Sequence, residues 1–342
     1  MNTEEFDYLL PKPLIAQYPS SERGESRLMV LSRGPNTVRH ASFLRITDYL
    51  DPGDLLVIND TRVLPARLIG KKETGGRCEV LLIPSTGREN GVWEGLARGL
   101  GKSRQGDRID FGQGITGRVE HVKNGRAVIR FAVKGDLRPL LRKVGHIPLP
   151  PYIKREDEAL DRDRYQTIFA EREGSIAAPT AGLHFTPSLL QRLYDKGIGV
   201  ARITLHIGTG TFAPVKSKEI EAHAMESEWV EISEEAVRRI DETRQKRRRV
   251  VAVGTTTTRA LESACDREGR LRPGTSLASL FIYPPYRFRV IEALITNFHL
   301  PRSTLLMLVS AFAGKDLTLK AYREAVNREY RFYSYGDAML IL

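Results

Sequence analysis

Hydrophobic and polar residues alternate along the chain in two different textures. DLLVIND (54–60), VARITL (200–205), RVVAV (249–253) and VIEALIT (290–296) are short apolar runs that close on polar residues. Amphipathic stretches lie between them. PSLLQRLYDK opens at Thr186 and Pro187, an N-cap followed by a first-turn proline, and closes at Gly197. EEAVRRIDETRQKRRR is the next helix, Gly254 leads into one that reaches Cys265, and Ser303 caps STLLMLVSAFAG, which ends at Gly314. Apolar strands alternating with amphipathic helices predict an α/β main domain whose sheet is largely parallel and buried on both faces.

Between Gly70 and Gly145 the texture changes, for this stretch holds 15 of the 29 glycines. The runs CEVLLI (78–83), GRVEHV (117–122) and AVIRFAV (127–133) read as short strands, the last two joined through Asn124 and Gly125, a strong hairpin signal. Such spacing predicts a small antiparallel β-barrel, which ends at the stiff Pro148–Pro151 connector. The expected organisation is an α/β domain of residues 1–61 and 149–342 carrying an inserted barrel domain of residues 62–148.

Charge separates the same two regions. The chain of 342 residues has a formal net charge of +11. Residues 62–148 hold 18 basic and 8 acidic side chains, so +10 of that excess falls in one segment. A localised basic excess is the footprint expected of a nucleic-acid partner. No apolar run approaches the roughly 18 residues of a membrane span, and the acidic N-terminus reaches Pro11 without an apolar leader core. Two isolated cysteines, Cys78 and Cys265, exclude a disulfide framework and fit a reducing cytoplasm.

Ligands of open α/β sheets bind beyond the carboxyl ends of the strands. That rule collects the loops 59–62, 178–184, 206–211, 254–259 and 296–299, dense in hydroxyls, amides, glycine and imidazole. His184, His206 and His299 all fall in them, and imidazole suits proton transfer near neutrality. Any one could equally be a core histidine. Gly254, Thr255 and Thr256 open a helix whose free N–H groups would hold a carboxylate or phosphate, with Arg259 one turn further in. Asp60 reads either as a base or ribose acceptor, or as a turn aspartate. Other motifs carry less. His223 with Glu226 and Glu228 lacks metal-site spacing, Gly101–Ser103 lacks the phosphate-loop glycine, and residues 206–212 lack the third glycine of a dinucleotide loop. The run Lys246–Arg249 reads as a solvated helix end.

Longer blocks are distinctive. YLLPKPLIAQYPSSERGESRLMVL (8–31), DLLVINDTRVLPARLIGKKETGGRCEVLL (54–82), IPLPPYIKR (147–155), DRYQTIFAEREGSIAAPTAGLHFTPSLL (163–190), ITLHIGTGTFAPV (203–215), AVGTTTTRALES (252–263), LITNFHLPRSTLLMLVSAFAG (294–314) and YRFYSYGDAMLIL (330–342) resemble the S-adenosylmethionine:tRNA ribosyltransferase-isomerase family of queuosine biosynthesis nearly end to end. The resemblance implies an α/β domain with an inserted barrel. It implies transfer and isomerisation of the ribosyl part of S-adenosylmethionine onto a 7-aminomethyl-7-deazaguanine in tRNA. Epoxyqueuosine-tRNA forms and adenine and methionine leave, with no metal and no cofactor beyond S-adenosylmethionine as substrate. The expected partners are S-adenosylmethionine and tRNA with a modified wobble guanine, the expected state a monomer free of membrane.

That chemistry needs a base at C5′, a group serving the departing adenine and a neutral attacking amine. His184, His206, His299 and Asp60 are the expected proton-handling set. Asn59, Thr180, Gly208, Thr209 and Gly210 lie in the substrate loops. Gly254, Thr255, Thr256 and Arg259 would hold the methionine carboxylate, and Asn297 or Glu262 the ribose or adenine edge. Arg62, Arg67, Lys71, Lys72, Arg77 and Lys102 are expected phosphate contacts. An S-adenosylmethionine-dependent methyltransferase and a non-catalytic RNA-binding module are the rival classes. The first lacks its glycine-rich loop after an initial strand, and the second leaves the polar loops without purpose.

Overall fold

The computed structural model describes every residue except 85–90, 102, 134–135, 213–214 and 216, and for 211–212 only the backbone course. In chain order, β1 (Arg27–Ser32) and β2 (Thr37–Ser42) form a hairpin, followed by β3 (Leu55–Asn59) and the short β4 (Thr61–Val63). The next six strands are β5 (Arg67–Lys72), β6 (Arg77–Leu82), β7 (Val92–Arg98), β8 (Arg108–Asp110), β9 (Thr116–Lys123) and β10 (Arg126–Phe131). Beyond them lie β11 (Arg172–Ser175), β12 (Gly199–Leu205), β13 (Glu228–Ile232), β14 (Val250–Val253), β15 (Gly274–Ala278), β16 (Ala293–Asn297) and β17 (Ala338–Ile341). The helices are α1 (Arg138–Val144), α2 (Asp161–Arg164), α3 (Pro187–Asp195), α4 (Glu234–Gln245), α5 (Thr255–Ala264), α6 (Thr304–Ala313) and α7 (Lys315–Asn327).

Nine strands make one sheet in the order β15-β13-β12-β3-β14-β16-β17-β1-β2. The central four, β12, β3, β14 and β16, are mutually parallel. The expectation of a largely parallel sheet needs correction toward the edges. There β17 runs antiparallel to β16, β2 to β1, and β13 to both β12 and β15, with β1 alone parallel to β17. At the β2 edge the cause is local: the β1–β2 connection is a tight hairpin, and a parallel pair needs a crossover of a dozen or more residues. Strand-interior burial follows the apolar runs, for all of β3, β14, β16 and β17 is buried. Side chains alternate between faces. Leu55 and Val57 join the core beneath α4–α7, while Leu56 and Ile58 join the core beneath α3 and Phe43.

Strands β5–β10 close a barrel in the order β10-β7-β6-β5-β8-β9, antiparallel at every described pairing. Leu68, Val80, Ile109, Val119 and Ile129 fill it. The β9–β10 turn has Asn124 at φ 51 and Gly125 at φ 76, the two left-handed residues of a type I′ turn that matches strand twist. At the barrel's root β4 pairs in parallel with β11, so the chain entering the barrel lies beside the chain that has left it. Local caps follow the sequence. The Thr186 hydroxyl accepts from Leu189 N–H and the Ser303 hydroxyl from Leu306 N–H. Among the described residues no helix is long and apolar enough to cross a membrane.

Candidate active site

The carboxyl ends of the parallel strands β14 and β16 open onto a pocket holding about 730 Å³ of empty space, part of it open to solvent. Four of the predicted loops meet there, bringing Thr180, Ile207, Gly254, Thr255, Thr256, Asn297 and His299 into its lining. Gly254 has φ +100, a left-handed value that glycine adopts without strain, and this turn swings the chain from β14 directly into α5. The starts of two helices, α5 at Gly254–Thr256 and α6 at Ser303 and Leu305, therefore face the same space. Free N–H groups at helix starts favour anions. Among the described residues, the only titratable side chains of the lining are His299, Tyr152 and Tyr333.

Asn297 organises the wall. Its side-chain amide donates to the Tyr333 carbonyl (3.1 Å) and to His184 Nε2 (3.0 Å), and its oxygen accepts from the Thr180 hydroxyl (2.9 Å). The Tyr333 carbonyl can only accept, which fixes which end of the amide faces it. His184 Nε2 must then be the acceptor, so the proton sits on Nδ1 and faces the Ser26 hydroxyl at 2.7 Å. Burial, aided by Arg23 and Arg331, pushes His184 down to about 3. Both ring nitrogens are used, and the imidazole backs Asn297 from behind the pocket rather than lining it.

His299 does line it. Its Nε2 lies 2.7 Å from the Thr296 hydroxyl, and burial drives its pKa down to about 3, so the ring is neutral at physiological pH. The loop is pinned from beneath, where Tyr322 accepts from His299 N–H and Tyr8 donates to the His299 carbonyl. An aromatic face adjoins this loop, for Tyr333 N–H donates to the Phe298 carbonyl. Tyr152 stacks on Tyr333 with centroids 4.5 Å apart, and its hydroxyl lies 2.5 Å from Ser334 Oγ.

His206 occupies a different place. Its ring stacks on Trp229 (4.8 Å, 14° between planes) and its Nδ1 lies 2.8 Å from the Thr61 hydroxyl. It lines an open cleft of about 840 Å³ with Gly208, Thr209, Glu226 and Trp229 on one side and Ile83, Pro84 and Arg126 of the barrel region on the other. A Cβ on Gly174 would lie 2.4 Å from His206 Nε2, so the ring's position requires glycine there. Burial, with Arg172 and Arg138 adding to it, lowers His206 to about 4. Ile207 lines both the pocket and the cleft, which therefore adjoin.

Several expected site residues stand elsewhere. Arg259 is buried, with its guanidinium on Glu228 (2.6 Å) and on the carbonyls of Ala278 and Leu280, and is absent from the pocket wall. Glu228 in turn accepts Gly208 N–H, so this ion pair holds the cleft loop. Glu262 is buried under the Tyr286 hydroxyl and the amides of Arg289 and Val290. Asn59 ties β3 to Leu205, and Asp60 accepts the Thr204 hydroxyl (2.7 Å) while burial raises its pKa. Neither lines the pocket or the cleft. Gly210 lies against Glu226. Glu226 pairs with Arg126, and His223 packs on Phe281, so the two separate rather than join Glu228. Among the described residues no group of three or more His, Cys, Asp or Glu is placed to hold a metal ion.

The basic residues divide. Arg62 and Lys71 are exposed, and Lys71 and Arg77 border a shallow depression at one end of the barrel with Phe111. Lys72 donates to the Gly99 carbonyl, Arg77 lies 3.4 Å from Glu156, and Arg67 is half-buried against Asp157. Lys102 lies outside the described residues.

The model of the queuosine biosynthesis protein family matches residues 3–341. The chain belongs to that family. Family members include an S-adenosylmethionine:tRNA ribosyltransferase-isomerase of Halothermothrix orenii, 51% identical over 345 residues, and one of Aquifex aeolicus, 50% identical over 343 residues, each alignment covering 100% of both chains. The crystal structure of the Thermotoga maritima S-adenosylmethionine tRNA ribosyltransferase is 39% identical, with a TM-score of 0.56, over 99% of this chain and 100% of that one. Tyr152, Ser303, Tyr333 and Ser334 are pocket residues of this queuosine-family chain that lie outside the strand-end loops. Tyr152, Tyr333 and Ser334 lie in blocks recognisable as distinctive, IPLPPYIKR and YRFYSYGDAMLIL, but nothing in their spacing points at a strand end.

Proposed function

We propose that the chain transfers and isomerises the ribosyl moiety of S-adenosylmethionine onto 7-aminomethyl-7-deazaguanine in tRNA, giving epoxyqueuosine-tRNA, adenine and methionine. One observation carries the assignment of the pocket. Among the described residues, its lining has two helix starts and hydroxyls but no carboxylate and no amine. A carboxylate suits the helix starts. A sulfonium buried without a counter-charge keeps its full pull on the C5′–H bonds, which favours loss of a proton there. We assign that proton to His299, which is neutral and lines the pocket. Thr180 and Asn297 supply further polar contacts for the ribose. His184 positions Asn297 and does not take part directly.

The adjoining cleft suits the second substrate. A nucleobase turned out of the anticodon loop stacks on aromatic faces, and the His206–Trp229 pair offers one between sheet and barrel. The wobble base would reach toward the pocket past Ile207, bringing its amine to the ribosyl carbons. Arg62, Lys71 and Arg77 would meet phosphates, with residues 62–148 acting as the tRNA-holding unit. S-adenosylmethionine is consumed as a substrate, and we assign no further cofactor; the chain is expected to act as a cytoplasmic monomer.

Mass spectrometry of a reaction of the purified protein, S-adenosylmethionine and tRNA bearing the aminomethyl deazaguanine tests this reading. Free adenine with a nucleoside carrying an added cyclopentane epoxide is expected. S-adenosylhomocysteine with a one-methyl gain would identify a methyltransferase, and salt-sensitive tRNA binding without turnover an RNA-binding module.

A further inference from the structure

Tyr333 is held in an unusual way for a bulky residue. Its φ is +70, in the left-handed region that side chains beyond glycine, asparagine and aspartate rarely adopt. The strain is sustained by backbone ties on both sides: its N–H donates to the Phe298 carbonyl, and its carbonyl accepts from Asn297 Nδ2 and Gly336 N–H. These fix the residue against the 297–299 loop, with its ring stacked on Tyr152 in the pocket wall. The residue is 4% exposed, and its buried hydroxyl has no hydrogen-bond partner among the described residues. Buried hydroxyls are ordinarily paired, because leaving one unpaired costs free energy that a neighbouring acceptor would recover. Strained backbone clusters where a ligand is gripped.

We propose that the Tyr333 hydroxyl is the donor to a ring nitrogen of the adenine of S-adenosylmethionine, with the Tyr152–Tyr333 stack as the apolar wall of the adenine subsite. This rests on the assignment of the pocket to S-adenosylmethionine. The chemistry separates the two ends of that substrate. Its carboxylate seeks the helix starts at Gly254 and Ser303, whereas a purine is a flat apolar ring edged with uncharged acceptor nitrogens, which an aromatic wall bearing one neutral O–H complements. Desolvation raises the phenol well above its ordinary value, so it remains a donor throughout the working pH range.

Tyr333→Phe keeps the ring and the stack and removes only the oxygen. S-adenosylmethionine and 5′-methylthioadenosine, which lacks the carboxylate and the sulfonium, are titrated calorimetrically into the wild-type chain and the variant. Thermal midpoints are measured without ligand, and adenine release is followed in the presence of tRNA. Both ligands should weaken by the same factor, roughly ten- to a hundredfold, with the unliganded midpoint unchanged or raised. Unchanged binding would overturn the proposal. Weakening of S-adenosylmethionine alone would move the contact to the methionyl end, and a lowered unliganded midpoint would make the hydroxyl structural; either overturns it. Wild-type protein that binds neither ligand would instead sink the pocket assignment itself, and this inference with it.

Discussion

The strand-end pocket and the barrel solve opposite physical problems. Around the pocket the polar groups are mostly buried and neutral: Asn297 engages Thr180, His184 and Tyr333, and both buried histidines are held neutral. The barrel segment instead carries exposed charge, such as Arg62, Lys71 and Arg77, and residues 62–148 hold +10 of the chain's formal +11. A buried neutral network fixes geometry, because every member has one arrangement that satisfies it. Exposed charge fixes little geometry but acts at long range on a polyanion. With reaction proposed for the pocket and tRNA capture for the barrel, mutations in the two regions should behave differently.

The largest contrast lies in activity. His299→Ala should lower adenine release about 100- to 10,000-fold with tRNA affinity unchanged, read by single-turnover kinetics beside a filter-binding titration. His184→Ala should reduce activity and thermal stability together, because it also strips Asn297 of a partner. If His184→Ala lost activity at full stability, His184 would touch substrate and the positioning role would be wrong.

Next in size is the buried ion pair. Arg259→Ala leaves the Glu228 carboxylate buried without its guanidinium, a loss of about 3–5 kcal/mol in denaturant unfolding. Arg259→Met combined with Glu228→Gln should recover much of it. A stable Arg259→Ala protein that merely bound S-adenosylmethionine weakly would instead place Arg259 at the substrate.

Acid should act on the pocket region. The folded-state values of about 3 for His184 and His299 and about 4 for His206 lie below the free value of 6.5. Each therefore contributes stability that is complete above about pH 6.5 and is lost as pH falls toward the folded value. The loss is about 1.4 kcal/mol per pH unit for each buried ring, an upper figure. Denaturant midpoints measured from pH 7 to pH 5 should fall, and His299→Gln should shallow that slope.

The smallest effects belong to the barrel. Lys71→Ala and Arg62→Ala should change stability by less than about 0.5 kcal/mol, leave adenine release at saturating tRNA intact, and each remove about one unit from the log–log salt slope of tRNA binding. A large loss of turnover at saturating tRNA would break the separation.

What the chain reveals before folding depends on the range of the cause. Caps and turns are local, and Thr186, Ser303 and the Asn124–Gly125 turn behave as their sequence neighbours require. Strand direction is not local. The apolar run of β17 (Ala338–Ile341) accounts for its burial but says nothing about its running antiparallel to β16. The strand-end rule found Thr180, Gly254, Asn297 and His299, which share one pocket, because loops after parallel neighbours converge. It misjudged Arg259, whose partner Glu228 lies 31 residues away on β13, and Asp60, which the Thr204 hydroxyl engages across the neighbouring strand. It could not reach Tyr152 and Tyr333, which arrive from the connector after the barrel and from the segment before β17.

The most direct measurement is a crystal structure of the protein with S-adenosylmethionine bound. Ligand density is expected in the pocket, with the carboxylate at Gly254–Thr256, C5′ beside His299 and adenine against Tyr152 and Tyr333. Density in the His206–Trp229 cleft or on the barrel, with the pocket empty, would contradict the assignment of the reaction to the strand ends.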